Sequence, residues 1–548
     1  MRFRWTFLAG AALLGAFGLG AQIQAPTAAL AQFSSAPGDA SNPILRLPAP
    51  PAPPGARAPQ IPLPPQNSRA KTPPALLPTP ILTFKPRFAG QKSIRVGLST
   101  AGAPIAVYAP GGATLFDLNQ PKQVLSLPPG ARVEMRFGPN QMAKSFRGPV
   151  SVSTAGQKID GWQRVYIAID GEAARVTTNG KNPRWGRAYR GDLEIFPQKL
   201  GEPVKRKGPL SLVNVVPLES YLRGVVPWEM DASAPLEALK AQAICARTKA
   251  LDFIRSKRFG KGDFEICDYD ACQGYPGTEN EKPATTKAVE STQGLAIYYR
   301  NRPIDAVYST NSGGITANAR DVWPSGAPIP YLQSVADFAP DSPGEKLWQS
   351  GMDEAKWAQF CAQNLDSFAQ PGGIASDKYE ARKYRWKEFV SVEAASKAFA
   401  GEGISAVTVL EILERAASGR IRRLRVTGVD AARLKTWPTP VPNPKHQPSD
   451  GISALAVSFP PKSVAVEGDG KIRSMFSGRL GSTTALPSSL FTVSPVTDAS
   501  GKLLGWNLQG AGWGHGVGMC QRGAQNHAKA GWDARKILSW YYRGVEIR

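Results

Sequence analysis

Apolar and polar residues alternate along Ser93-Ile-Arg-Val-Gly-Leu-Ser-Thr100, and a period of two predicts a strand. Shorter runs of the same kind recur at Val133–Phe137 and Val165–Ile169, Leu212–Val216 is mostly apolar, and Gly and Pro turns separate them. The period then changes. From Leu236 to about Arg258 there is neither Gly nor Pro, and Leu236, Leu239, Ala243, Ala246, Ala250 and Ile254 recur at steps of three and four. That spacing predicts an amphipathic helix with one buried face. Pro235 suits its first turn, where a missing N–H is harmless, and Gly260 is a natural stop. Further on, Ala406–Leu413 and Arg420–Thr427 flank Ser418-Gly419, a hairpin signal. Residues 431–450 are rich in Pro and polar residues and read as a loop. A Gly-rich segment, Gly510–Gly518, precedes a helix predicted over Gln525–Tyr542. No internal repeat is visible. The class expected is α+β and strand-rich, with one central amphipathic helix.

The N-terminus adds a compartment. Arg2 and Arg4 precede an uncharged apolar stretch, Phe7–Leu19. It is shorter than a typical membrane-spanning helix and fits a secretory signal, with Ala29-Leu30-Ala31 supplying small residues for cleavage before Gln32. An uncleaved N-terminal anchor is the alternative. Between Pro43 and Pro80 there are 14 prolines and no acidic residue, with Arg46, Arg57, Arg69 and Lys71 as the charges. Such density favours extended polyproline II over a packed core. The expected plan is a signal peptide at 1–31, a disordered, basic Pro-rich linker at 32–90, and a folded region at 91–548.

Composition narrows the partners. The 66 Lys and Arg exceed the 43 Asp and Glu, a net charge of +23. A surplus of that size points to nucleic acid, an anionic membrane surface or anionic wall polymers, or else to a solvated basic surface. Export argues against nucleic acid. Hydrophobic residues at 42% allow a real core. The five cysteines, Cys245, Cys267, Cys272, Cys361 and Cys520, are too few for a disulfide scaffold.

Five places carry candidate chemistry. Glu229 is expected in a turn ahead of the helix, between Trp228 and Met230. Apolar neighbours disfavour the charged form of a carboxylate, and a protonated Glu can donate to a leaving oxygen. The competing account is a Glu that stabilises a helix N-terminus. Lys240 and Arg247 are seven residues apart on one helix face, with Gln242 on another side. They are placed either to orient a carboxylate and grip an oxygen-rich substrate or to form a solvated, salt-bridged face. Tyr308-Ser-Thr-Asn-Ser-Gly-Gly314, with Thr316 after it, allows close backbone approach by a ligand, or is a tight turn. His515 lies in Gly512-Trp-Gly-His-Gly-Val-Gly-Met-Cys-Gln521, either held open among glycines or packed as a turn histidine; with Cys520 it raises a metal or thiol-nucleophile idea. Cys267 and Cys272 are a disulfide or half of a zinc site; no second ligand pair is evident nearby, which favours the disulfide.

Several of these blocks resemble the stage II sporulation protein D family (SpoIID/LytB). Val216-Pro-Leu-Glu-Ser-Tyr-Leu-Arg-Gly-Val-Val-Pro-Trp-Glu-Met230 and Pro235-Leu-Glu-Ala-Leu-Lys-Ala-Gln-Ala-Ile-Cys-Ala-Arg-Thr-Lys-Ala-Leu251 carry the resemblance most strongly. Ser312-Gly-Gly-Ile-Thr316 and Asp321-Val-Trp323 resemble the family's middle, and Gly512–Met519 with Tyr541–Glu546 its closing motif. The resemblance covers roughly Ser93 to Arg548. Core motifs fall in 211–335, variable insertions in 345–510 and the C-terminal motif in 510–548. It implies a peptidoglycan lytic transglycosylase acting on glycan stripped of stem peptides, or a non-catalytic, wall-binding enhancer of an N-acetylmuramoyl-L-alanine amidase. Glu229 matches the implied catalytic acid. Lys240, Arg247 and His515 match other active-site positions, and Ser312 and Gln521 fall in the supporting motifs. The implied location is the periplasm or cell envelope, with peptidoglycan and a cell-wall amidase as partners. No metal or cofactor is implied, although some relatives hold zinc around a Cys pair with nearby His; here no His lies between Cys267 and Cys272. Cys520 stands where a serine is more usual.

Overall fold

The alternating segments of the first half build two largely antiparallel sheets. The first runs, in spatial order, Ile266–Cys267, Ser93–Gly97, Leu210–Pro217, Asp192–Pro197, Val165–Ile169, Ala113–Asp117 and Gln120–Leu127. The second runs Arg187–Tyr189, Ala174–Thr178, Ile105–Ala109, Ala131–Phe137, Val150–Thr154 and Gln157–Trp162. Their inward residues, among them Val96, Ile105, Met135, Trp162, Ile167 and Leu212, share one core. The computed structural model describes residues 88, 91–99, 104–137, 149–154, 156–178, 186–197, 210–259, 263–324, 326, 328–363, 365, 367–370, 378–429, 461–477 and 485–548. The expected signal peptide at 1–31, the linker at 32–90 (residue 88 apart), Gly260 and the 431–450 loop lie outside the described residues.

Helices correct the expectation of a single central one. Helix α1, Leu218–Glu229, follows the strand Leu210–Pro217 directly. Its Leu218, Tyr221, Leu222, Val225 and Val226 recur at helical spacing and are all buried. Gly224 and Pro227 masked that pattern, since both weaken a helix on intrinsic grounds. Gly224 is needed because an added Cβ would lie 2.6 Å from the Gly277 carbonyl oxygen. Pro227 stands in the last turn, where its missing N–H costs little more than one hydrogen bond.

Helix α2, Leu236–Ser256, is the predicted helix, closed by Lys257 in the left-handed conformation (φ 48°). It is not one-sided. Nearly every residue from Ala238 to Leu251 is buried, as in a helix packed on all sides. Ala243, Ala246 and Ala250 face the core of the sheets. Ala241, Ile244 and Cys245 face a second core with Met519, Ile537, Leu538 and Tyr542. Helix α3, Pro283–Ser291, packs on both α1 and α2. Helix α4, Ala319–Val322, is a single turn capped by Asn318.

The expected hairpin forms as Ala406–Arg415 and Ile421–Val429, antiparallel, with Lys462–Glu467 added to its edge. The helix predicted over Gln525–Tyr542 is two helices, Gln521–Lys529 and Ala534–Tyr541. Gly531 at φ 84° ends the first, and the Asp533 side chain caps the second. Among the described residues no helix is long and apolar enough to cross a membrane.

Candidate functional site

Glu229 is the last residue of α1, not a residue ahead of a helix start. That placement removes the helix N-terminus as an account of it, because a carboxylate at a helix C-terminus meets the unfavourable end of the dipole. Its side chain lies partly buried in a cleft of about 670 Å³ that also takes in Trp228, Lys249, Asp270, Tyr308, Trp323 and His515. One carboxylate oxygen accepts the Gly274 N–H at 2.9 Å. Burial pushes the Glu229 carboxyl up to about 7; the Gly274 bond opposes this, Asp270 adds to it, and Lys249 and the Tyr308 hydroxyl pull it down. Near neutral pH the group is therefore shared between acid and carboxylate forms, as a proton donor that must also become a base requires.

Gly274 has a second reason to be glycine. A Cβ there would lie 2.0 Å from the Trp228 indole, so the ring lies close against the 274 backbone. Trp228 is 53% exposed and Trp323 42%, both in the same cleft. Exposed indoles in a cleft are suited to stacking on the apolar face of a ligand ring. Gln273, beside Gly274, donates to the Tyr221 hydroxyl and accepts from the Tyr308 hydroxyl, which ties the loop to α1 and to the opposite wall. The same loop is closed by the Cys267–Cys272 disulfide. A disulfide uses both sulfurs, so it and the zinc alternative for this pair are mutually exclusive. Among the described residues no group of three or more His, Cys, Asp or Glu is arranged to hold a metal ion.

The opposite wall is made by two segments from different parts of the chain. Tyr308–Ser309 pairs in parallel with Met519–Cys520, and Asn311 bridges Trp513. Gly313 and Gly512 sit back to back, each at positive φ and each without room for a Cβ. The paired glycines thus serve close approach of two chain segments rather than of a ligand. His515 projects into the cleft, its Nδ1 accepting the Val517 N–H at 3.0 Å. Burial first, then Arg420, Lys249 and Arg473, hold its imidazole down to about 3. It is neutral, with the proton on Nε2, and offers a hydrogen bond rather than a charge.

A family model described as Stage II sporulation protein (SpoIID) matches residues 206–299. Residues 206–299 are thus similar to that family's domain. That domain holds α1, α2, α3 and the loop with Gly274, hence the Glu229 side of the cleft. A second model, a domain of unknown function (DUF8618), matches residues 443–518. Stage II sporulation protein D of Bacillus subtilis is 36% identical over 205 residues, 35% of this chain and 58% of that protein. The amidase enhancer of Bacillus subtilis is 28% identical over 326 residues, 60% of this chain but 40% of that protein. An uncharacterised protein of Brachyspira hyodysenteriae is 25% identical over 462 residues, 84% of this chain and 94% of its own length. The chain therefore spans about half the length of the two named Bacillus relatives.

Of the six site residues expected from sequence, Glu229 and His515 line the cleft, as do Tyr308, Ser309 and Thr310 of the Tyr308–Gly314 motif, while the other four stand outside its lining. Lys240 pairs with Glu237 at 2.7 Å. Arg247 is buried and grips Glu219 through two nitrogens, at 2.8 and 2.7 Å, while donating to the Val289 and Leu295 carbonyls. It joins α1, α2 and α3. Ser312 is buried behind the wall, its N–H on the Cys520 sulfur. Gln521 donates to the Glu229 carbonyl at 2.8 Å and so acts on the backbone under the acid. Cys520, where serine is more usual, is the N-cap of the helix Gln521–Lys529, a position that suits serine's hydroxyl. Burial pushes its thiol up to about 11, which rules out a ready thiolate. Sequence reasoning missed Lys249, Asp270, Gly274 and the stacking surface of Trp228 and Trp323. A partial signal existed for Lys249: a cation on a helix whose neighbours Cys245, Ala246 and Phe253 are apolar.

Proposed function

We propose that the protein cleaves peptidoglycan glycan strands as a lytic transglycosylase, acting on glycan without stem peptides, with Glu229 as both acid and base. The observation that carries this reading is the Glu229 carboxyl, raised to about 7 in a cleft flanked by two exposed indoles. In the proposed reaction Glu229 gives its proton to the glycosidic oxygen as the C1–O4 bond of a MurNAc unit breaks, through an oxocarbenium-like state. The sugar's own 6-hydroxyl then closes on C1 and its proton returns to Glu229, leaving a 1,6-anhydro end. The net reaction consumes no water and needs neither a second nucleophile nor a metal. Neutral His515 would donate a hydrogen bond to a sugar oxygen without competing for the proton. The work would be done in the periplasm or cell envelope, consistent with the basic surplus.

A second reading is favoured by the similarity to a protein named amidase enhancer: the cleft binds wall glycan and assists a cell-wall amidase without cutting. Product analysis separates the two. Wild type and Glu229→Gln are incubated with peptide-free glycan and with intact sacculi, and products are read by mass spectrometry. Anhydro-ended fragments from wild type alone support the transglycosylase. Binding to sacculi without fragments from either protein sinks it in favour of the enhancer.

A further inference from the structure

The insertion that carries the 406–429 hairpin is packed against the cleft by two arginines two residues apart. Arg420, at the hairpin tip, is buried, and its Nη1 donates to the Gly514 carbonyl at 3.1 Å. Asp469 faces the same nitrogen at 3.6 Å, while Nε and Nη2 have no hydrogen-bond partner. The His515 loop lies directly on this guanidinium: a Cβ on Gly516 would come within 2.2 Å of Nη2. Arg422 is half-exposed and donates from Nε to Asp321 at 3.2 Å, with Nη1 on Glu414 at 3.0 Å. Asp321 belongs to α4, and Trp323 is the residue that closes α4, its N–H on the Ala319 carbonyl at 2.8 Å. One arginine thus holds the loop of His515 and the other holds the turn of Trp323. The two rings they hold meet at 5.1 Å between centroids.

We propose that Arg420 and Arg422 are positioning residues for the Trp323–His515 wall, and that this wall is a sugar-binding subsite on the glycan. The proposal rests on the reading of the cleft as a glycan site. The half-exposed indole supplies an apolar face for sugar C–H groups, and the neutral imidazole beside it supplies one donor for a hydroxyl. Neither side chain is braced by its own helix, because α4 is one turn long and the His515 loop is glycine-rich. The Ala317–Val517 bridge brings the two segments together, and the hairpin fixes them from outside.

The test uses the full chain in a Glu229→Gln background, so that nothing is consumed, and measures binding of peptide-free glycan strands. Trp323→Ala and Arg422→Ala are each expected to weaken binding at least fivefold. Asp321→Asn should weaken it alike, and should add little on top of Arg422→Ala. In the Glu229 protein Arg422→Ala should raise KM while leaving kcat within about twofold, and Arg420→Lys should retain more binding than Arg420→Met. Unchanged binding in Arg422→Ala and Trp323→Ala, with the parent binding normally, overturns the subsite alone. A lowered unfolding temperature with unchanged KM in Arg422→Ala overturns the positioning role. If the parent protein binds no glycan at all, the cleft reading falls and the subsite with it.

Discussion

A single carboxyl dominates the candidate cleft, and its environment has consequences for stability as well. Glu229 is raised from 4.5 to about 7 chiefly by burial, so the folded state holds its proton more tightly than the unfolded chain does. Below about pH 4.5 both states are protonated and the group is neutral to stability. As pH rises from about 4.5 through 7 the folded state is penalised, by about 3 kcal/mol for a shift of this size. Glu229→Gln is therefore expected to raise the unfolding temperature at pH 8 and to leave it nearly unchanged at pH 4, which thermal melts at the two pH values would check. If Glu229 is the acid, kcat/KM falls as pH rises above about 7. Gly274→Ala tests the other half of the arrangement. The added methyl would drive the Trp228 indole off the backbone and move the N–H on which the carboxylate rests. Activity is expected to fall at least tenfold, with a pH limb shifted from that of wild type. Glu229 was legible in sequence because its motif is local. Gly274 and Lys249 were not, because their meaning depends on what packs against them after folding.

At the scale of elements, period was a reliable guide wherever one kind of pattern ran uninterrupted. The strand Ser93–Gly97 forms where the chain alternates, and α2 forms where the three-and-four spacing lies, although it is buried on nearly every side. Helix α1 was missed because Gly224 and Pro227 punctuate it, and tertiary packing overrode those local penalties. The split near Gly531 was overlooked for the opposite reason, a turn signal of only three residues inside a long helical pattern. Arg247 shows how a residue is misplaced when only its helix face is known. Its face was inferred correctly, but the partner on that face is Glu219 of α1. Arg247→Ala leaves that carboxylate without its cation and removes a donor from the Leu295 and Val289 carbonyls, and is expected to cost about 3–5 kcal/mol. Denaturant unfolding would measure it. Restored activity at low temperature would place the defect in stability and not in chemistry.

At the scale of the whole molecule, charge and closure matter most. With a net charge of +23, attachment to an anionic wall polymer is expected to weaken steeply with salt, since exposed charges are screened beyond about 10 Å at 0.1 M. Sacculus pull-down between 50 and 500 mM salt would show it, and a flat response would assign attachment to the cleft alone. Closure has a consequence in time. Gln521 supports the carbonyl of Glu229, and Met519 lies beside Tyr308, so the floor and the far wall are finished by residues near position 520. The acid is made early, and what confines it is made late. A chain shortened before Met519 lacks that far wall, and its Glu229 carboxyl is expected to titrate nearer the ordinary carboxylate range, which a pH titration of the shortened protein would check.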